Sequence, residues 1–171
     1  MPNWNCNTVT IKSDDVELMA KVIDAAEKSM KSESFFNVLV PRPVEEEENW
    51  YGWNVNNWGT KWDTHVEIVD QTANEIVLTF DTAWSPPIAF YSALEEQGYE
   101  IEAYYYEPGM CFAGVYSDGD DNYYEYSDMS SDEVKEFLPQ ELDEMFCISE
   151  SMAEWESENE EEEYNTEEEE E

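Results

Sequence analysis

An α+β fold, with an antiparallel sheet covered by two helices, is what this sequence predicts, and three observations carry it. Short runs with an apolar residue at every second position recur between Thr8 and Tyr126, the alternation of half-buried strands. One intervening stretch switches to a spacing of three and four, the period of an amphipathic helix, and a second is bounded by helix start and stop signals. Turn residues (Pro, Gly, Asn and Asp) separate the runs.

Thr8-Val9-Thr10-Ile11 opens the alternation. Asp14, followed three positions later by Glu17, reads as a helix N-cap signal. Val16, Met19, Ala20, Ile23, Ala26 and Met30 then paint one apolar stripe, which predicts a helix from about Asp15 to Met30. Phe36, Val38 and Val40 alternate like a strand, which Pro41-Arg42-Pro43 would end because proline cannot donate into a ladder. The acidic run Glu45, Glu46, Glu47, Glu48 follows. Next comes a tryptophan-rich block holding Trp50, Trp53, Trp58 and Trp62, spaced for a short helix and turn with Gly59 as its stop.

Val66 and Ile68, then Ile76, Leu78 and Phe80, flank Asp70–Asn74 as the two arms of an antiparallel hairpin. Ser85-Pro86-Pro87 reads as a helix start with Ser85 as N-cap, and Gly98 as its C-terminal cap. Ile101–Tyr106, Cys111–Tyr116 and Tyr123–Tyr126 form a strand meander, turning at Glu107-Pro108-Gly109 and at Asp118-Gly119-Asp120-Asp121. Ser130 with Glu133 makes a capping box ahead of Val134, Phe137 and Leu138. Pro139 begins another short turn carrying Leu142, Met145 and Phe146. Beyond residue 148 the chain becomes Glu-rich and is expected to be disordered. The order β-α-β-β-α-β is the split βαβ pattern of ferredoxin-like sandwiches. The predicted organisation is therefore one acidic domain over 1–148, including a C-terminal helical extension, and a disordered tail over 149–171.

The charge bounds function more tightly than the fold does. The chain holds 44 Asp and Glu against 7 Lys and Arg, a formal charge of −37. The segment from Glu150 to Glu171 holds 13 of the acids and no base, so residues before it still carry about −24. DNA, RNA and anionic membranes repel such a molecule, because binding them needs cationic side chains. Its expected partner is a basic, nucleic-acid-binding host protein, with no direct nucleic-acid or membrane binding. Cys6, Cys111 and Cys147 are widely spaced, with no CxxC and a single histidine, His65, so no zinc site is expected and a reduced cytosolic setting fits. The opening Met1-Pro2-Asn3-Trp4-Asn5 lacks a basic region before an apolar core, so no signal peptide is expected. The location expected is the cytoplasm.

Several blocks match a known pattern: Met1-Pro2-Asn3-Trp4, Asn57-Trp58-Gly59-Thr60-Lys61-Trp62-Asp63, Thr82-Ala83-Trp84-Ser85-Pro86-Pro87, and Tyr106-Glu107-Pro108-Gly109 leading to Phe112-Ala113-Gly114. Over roughly Met1 to Tyr116 the chain resembles the YubB-type ferredoxin-like domain of phages and plasmids. The resemblance implies a ferredoxin-like fold and a mobile-element origin, and carries no activity onto particular residues. That family's opening places Cys directly after Trp, whereas here Asn5 intervenes before Cys6, which weakens a reading of Cys6 as a reactive thiol. The acidic body and Glu-rich end stand apart from the family pattern.

Two candidate sites emerge. Trp50, Trp53, Trp58, Trp62 and Trp84 could line an aromatic pocket for a base, a sugar or a peptide, or form a second core beneath a loop, with Lys61 and Asp63 as paired neighbours. The acidic residues Glu45–Glu48, Asp118, Asp120, Asp121, Glu125, Asp128, Asp132, Glu133, Glu160, Glu161, Glu162 and Glu163 are the expected partner-binding surface. Counted as a calcium loop from Asp118, the sixth residue is Tyr123 and the twelfth Met129, so the register fails and a hairpin turn fits better. No catalytic signature is present, and neither a metal nor a cofactor is called for. The expectation is a non-enzymatic, phage- or plasmid-encoded DNA mimic that occupies the nucleic-acid site of a host restriction or defence enzyme. The alternatives are a nucleotide or small-ligand module built on the tryptophans, or an acidic chaperone-like partner of a basic protein.

Overall fold

The computed structural model describes residues 3–32 and 34–169, with side chains as far as residue 159. The chain divides after Tyr123 into two compact units. The first contains β1 (Trp4–Lys12), α1 (Val16–Ser32), α2 (Phe35–Leu39), a 3-10 turn (Val44–Glu46), α3 (Trp50–Asn57), β2 (Glu67–Gln71), β3 (Glu75–Ala83), α4 (Ile88–Glu96), β4 (Glu100–Glu107) and β5 (Phe112–Ser117). The boundary falls inside β6 (Asp120–Glu125), and α5 (Ser131–Phe137), α6 (Gln140–Phe146) and α7 (Ile148–Glu169) make up the second unit.

The strands form one six-stranded antiparallel sheet in the order β2-β3-β1-β4-β5-β6. β1 lies at its centre, paired with β3 from Trp4↔Ala83 to Lys12↔Glu75 and with β4 from Cys6↔Tyr106 to Lys12↔Glu100. Alternation decides the buried face: Val9 and Ile11 of β1, Ile76, Leu78 and Phe80 of β3, and Ile101 and Ala103 of β4 join one core with the helices. Into it α1 sends Met19, Val22 and Ala26, and α4 sends Phe90, Tyr91 and Leu94. A knot of rings fills the centre, with Phe36 at 4.5 Å from Phe90 and 5.7 Å from both Trp58 and Phe80. Each such ring contributes about 1.5–3 kcal/mol by leaving water.

β1 starts four residues earlier than its apolar alternation shows, because Asn5 and Asn7 occupy core-facing positions. Their amides are accommodated by hydrogen bonding: Asn7 Nδ2 donates to the Phe80 carbonyl at 3.2 Å and to Thr82 Oγ1 at 3.0 Å. At the other end of the sheet, β5 and β6 are joined by Asp118 and Gly119, both at positive φ (51° and 79°). That is the two-residue hairpin geometry that Asp-Gly favours. Gly114 on β5 leaves room for the Tyr105 ring, since a Cβ there would lie 2.2 Å from it.

Four local expectations are corrected. Phe36–Val40 is not a strand: Phe35, Phe36 and Leu39 are buried at helical spacing in α2, whose first amides are capped from afar by Asp63. The cap of α1 is Asp15, not Asp14, with Asp15 Oδ1 accepting from the Glu17 and Leu18 amides at 2.8 and 3.2 Å. The helix is also rotated from the expected stripe, burying Val22, Ala25 and Ser29 while Val16 and Met30 face solvent. Ser85 does not cap α4. Its hydroxyl donates to the Gly59 carbonyl at 2.7 Å, and the helix begins after Pro87. The far end of α4 follows expectation: Gly98, at φ 104°, donates to Glu95 while Tyr99 donates to Leu94, a Schellman closure.

The second unit follows its capping box. Ser130 Oγ accepts from the Glu133 amide and Glu133 Oε2 accepts from the Ser130 amide at 2.9 Å. Val134, Leu138, Leu142 and Ile148 are buried. The expected disorder from residue 149 is corrected, because α7 runs through Glu169. Its start is tied down by Asp143, which accepts from the Ser149 amide at 2.7 Å and from its hydroxyl at 2.6 Å, and a later turn by Glu156, which accepts from Ser131 at 2.9 and 2.6 Å.

Candidate functional site

The structure separates the tryptophan block into two sets. Trp58 is core: it is 1% exposed and its indole N–H donates to the Val40 carbonyl at 2.9 Å. Trp53 packs edge-on against it at 5.5 Å. Trp62 and Trp84 instead stack on each other near the surface at 6.4 Å, and Trp4, which the sequence reading did not include, lies 6.2 Å from Trp62. Trp50 is half-buried beside Tyr51. Trp84 holds its place at φ 67°, a left-handed conformation that a bulky side chain rarely adopts.

Lys61 and Asp63 are not the paired neighbours expected. The Lys61 ammonium lies 4.6 Å from the Trp62 ring, 4.9 Å from Trp84 and 5.7 Å from Tyr51, a cation–π arrangement. Asp63 takes three backbone amides, from Phe36 at 2.6 Å, Thr64 at 2.8 Å and Asn37 at 2.9 Å. Burial pushes its carboxyl above the usual range, and those amides hold it back. Trp50, Trp58, Trp62 and Asp63 border a cleft of about 330 Å³ that also contains Arg42 and Asn54. Arg42 and Asn54 were missed by sequence reasoning. The signal that could have found Arg42 is its being the chain's single arginine.

The expected acidic residues fall on separate elements. In the first unit, Glu45 and Glu46 belong to the 3-10 turn, Glu47 and Glu48 follow it, and Asp118, Asp120 and Asp121 sit at the β5–β6 hairpin. Asp121 accepts from the Tyr105 hydroxyl at 2.7 Å. In the second unit Glu125, Asp128, Asp132 and Glu133 are exposed. Backbone and hydroxyl donors from Ser130 hold Glu133 below the usual carboxylate range, and Ser131 does the same for Glu156. Glu160, Glu161, Glu162 and Glu163 lie outside the described side chains. What the sequence reading missed is the outer face of α7, where Glu150, Glu154 and Glu158 recur four residues apart, about 6 Å along the axis. Assigning that segment to disorder hid the periodicity.

Neutralising partners are scarce. Among the described residues the ion pairs are Lys12–Glu75 at 3.0 Å and Lys28–Asp24 at 2.7 Å, both in the first unit. The second unit has 21 Asp and Glu and a single base, Lys135. Cys6, half-buried beside Asp81 and Glu107, has its thiol pushed up to about 11, first by burial and then by those carboxylates. It is held protonated at neutral pH, the opposite of an activated nucleophile. No helix among the described residues is long and apolar enough to cross a membrane.

No family model matches the chain, and no curated protein matches it. Among solved structures it is similar to a crystal structure of the protein api92 from Yersinia pseudotuberculosis, of the family model DUF1281, at 21% identity and a TM-score of 0.41. The match covers 54% of this chain and spans 39% of the length of that protein.

Proposed function

We propose that this protein is a non-enzymatic acidic inhibitor, encoded by a phage or plasmid, that mimics nucleic acid and occupies the DNA- or RNA-binding site of a basic host enzyme in the cytoplasm. The observation that carries this reading is the second unit: its sequence holds 21 carboxylates against one lysine, and half of the exposed positions of its helices, among the described side chains, are acidic. Folding like charge together is costly, and an opposing basic surface offsets that cost. Helical carboxylates at fixed spacing present acceptors to Lys and Arg much as phosphates do, and complementary fields speed the encounter. The fold part of the reading is a ferredoxin-like split βαβ. The order β2-β3-β1-β4, with α1 and α4 packed into its core, supports it. The mobile-element origin rests on the resemblance of the tryptophan-containing blocks.

The test is capture of partners from host lysate by the full chain and by the triple variant Glu150→Gln, Glu154→Gln, Glu158→Gln, washed at graded salt and challenged with duplex DNA. A nucleic-acid enzyme that DNA displaces, and that the variant holds several-fold more weakly, is the expected result. Undiminished binding by the variant, or a partner that DNA cannot displace, would overturn the reading.

A further inference from the structure

Arg42 is the single arginine of a chain with 44 carboxylates, yet it pairs with none of them among the described residues. Its Nη1 donates instead to Asn54 Oδ1 at 2.8 Å. That acceptor is fixed: Asn54 is 3% exposed, and its Nδ2 donates to the Lys61 carbonyl at 2.8 Å. The Arg42 backbone is held too, its amide donating to Asn37 Oδ1 at 2.8 Å. A guanidinium has five donors in a rigid fork, so most of this one's capacity remains for something else.

The carboxylate that borders the cleft among the described residues, Asp63, is committed to the amides of Phe36, Asn37 and Thr64. Trp50 and Trp62 supply aromatic walls, with the buried Trp58 behind them. The cleft therefore combines a positioned guanidinium, without a carboxylate partner among the described residues, with flat apolar surfaces, at a volume of about 330 Å³, the small end of ligand sites. We infer that this cleft binds a small planar ligand bearing one anionic group, phosphate or carboxylate, with that group on Arg42 and its ring against Trp50 and Trp62. The formal charge of −37 penalises every added negative charge on the ligand. This favours a nucleoside monophosphate or an aromatic acid over a nucleic-acid strand, whose phosphates need many cations. The site shares no residue with the acidic surface proposed above and stands or falls separately from it.

The test follows tryptophan fluorescence and calorimetry as the full chain is titrated with AMP, indole-3-acetate, adenosine, inorganic phosphate and a short oligothymidylate. Saturable binding of AMP or indole-3-acetate at one per chain is expected, AMP alone marking the phosphate source and indole-3-acetate alone the carboxylate source. Adenosine and phosphate should each bind about tenfold more weakly than AMP if phosphate is the group. Arg42→Lys should also lose about tenfold, because an ammonium cannot reproduce the fork. Trp50→Leu gives a second readout, and the comparison of AMP with adenosine needs no variant. Three outcomes each overturn the inference: no saturation by either ring-bearing anion up to about 10 mM, weaker than the ~4 kcal/mol of a millimolar site; unchanged affinity in a folded Arg42→Lys protein; or oligothymidylate binding as tightly as AMP.

Discussion

Asp63 does more for the first unit than its place after a tryptophan would imply. Its two oxygens collect amides from Phe36, Asn37 and Thr64, closing the start of α2 across 27 residues of sequence. A buried amide left without an acceptor costs about 1–3 kcal/mol. Asp63→Ala should therefore lower unfolding free energy by about that amount, read as a shift of the urea midpoint at unchanged slope. Its raised pKa does not contradict this role, since burial penalises the charge while the amides favour it. An Asp63→Ala protein as stable as the wild type would show that α2 is held by Phe35 and Phe36 alone. This side chain's role is invisible in sequence because its partners are remote, whereas the Ser130–Glu133 box is legible because both halves lie within one turn.

At the scale of elements, that box and the Glu156 contact define how α5 begins. Both glutamates have folded-state pKa values below the ordinary carboxylate value. Their contribution is thus fully present above about pH 4.3, the unfolded glutamate value, and is lost as pH falls through the depressed folded values. Hydrogen exchange of the Ser131 and Glu133 amides should accelerate relative to the core strands as pH drops through this window. Ser130→Ala should cost about 1 kcal/mol and flatten the Glu133 part of that dependence. If these amides keep full protection at acid pH, the caps are not what hold α5. The β5–β6 hairpin was legible for a similar local reason, since Asp118-Gly119 carries its own conformational preference. α2 and the start of α4 were not. In both, a pattern that reads correctly by local rules is overruled by a distant partner: Asp63 for α2, and the Gly59 carbonyl for Ser85.

For the whole molecule, charge is the dominant variable. With two ion pairs among the described residues against a formal charge of −37, self-repulsion opposes the compact state, and salt weakens it as the screening length falls from about 10 Å at 0.1 M to about 3 Å at 1 M. Thermal unfolding by calorimetry should move upward by a few degrees between low salt and about 0.5 M NaCl. Binding to a basic partner should move the other way. A midpoint that is flat or falls with NaCl would mean that bound counterions already neutralise the chain.

Composition and short-range patterning by themselves determined that this chain is strongly acidic, that it mixes strands with helices, where its hairpins turn and which serine caps α5, because each of those depends on residues within a few positions of one another. The aromatic blocks were visible as a group, but their division was not: Trp58 became core while Trp62 and Trp84 stayed near the surface beside Lys61. The continuation of α7 past Ser149 was equally hidden, since a glutamate-rich segment looks solvated until Asp143 and Ser131 are placed to receive or supply its hydrogen bonds. Which carboxylate binds which amide, and that the one arginine faces an aromatic cleft without a carboxylate partner among the described residues, were decided by tertiary structure alone. Burial and the satisfaction of polar groups are properties of the packed chain, and no window of sequence contains both partners.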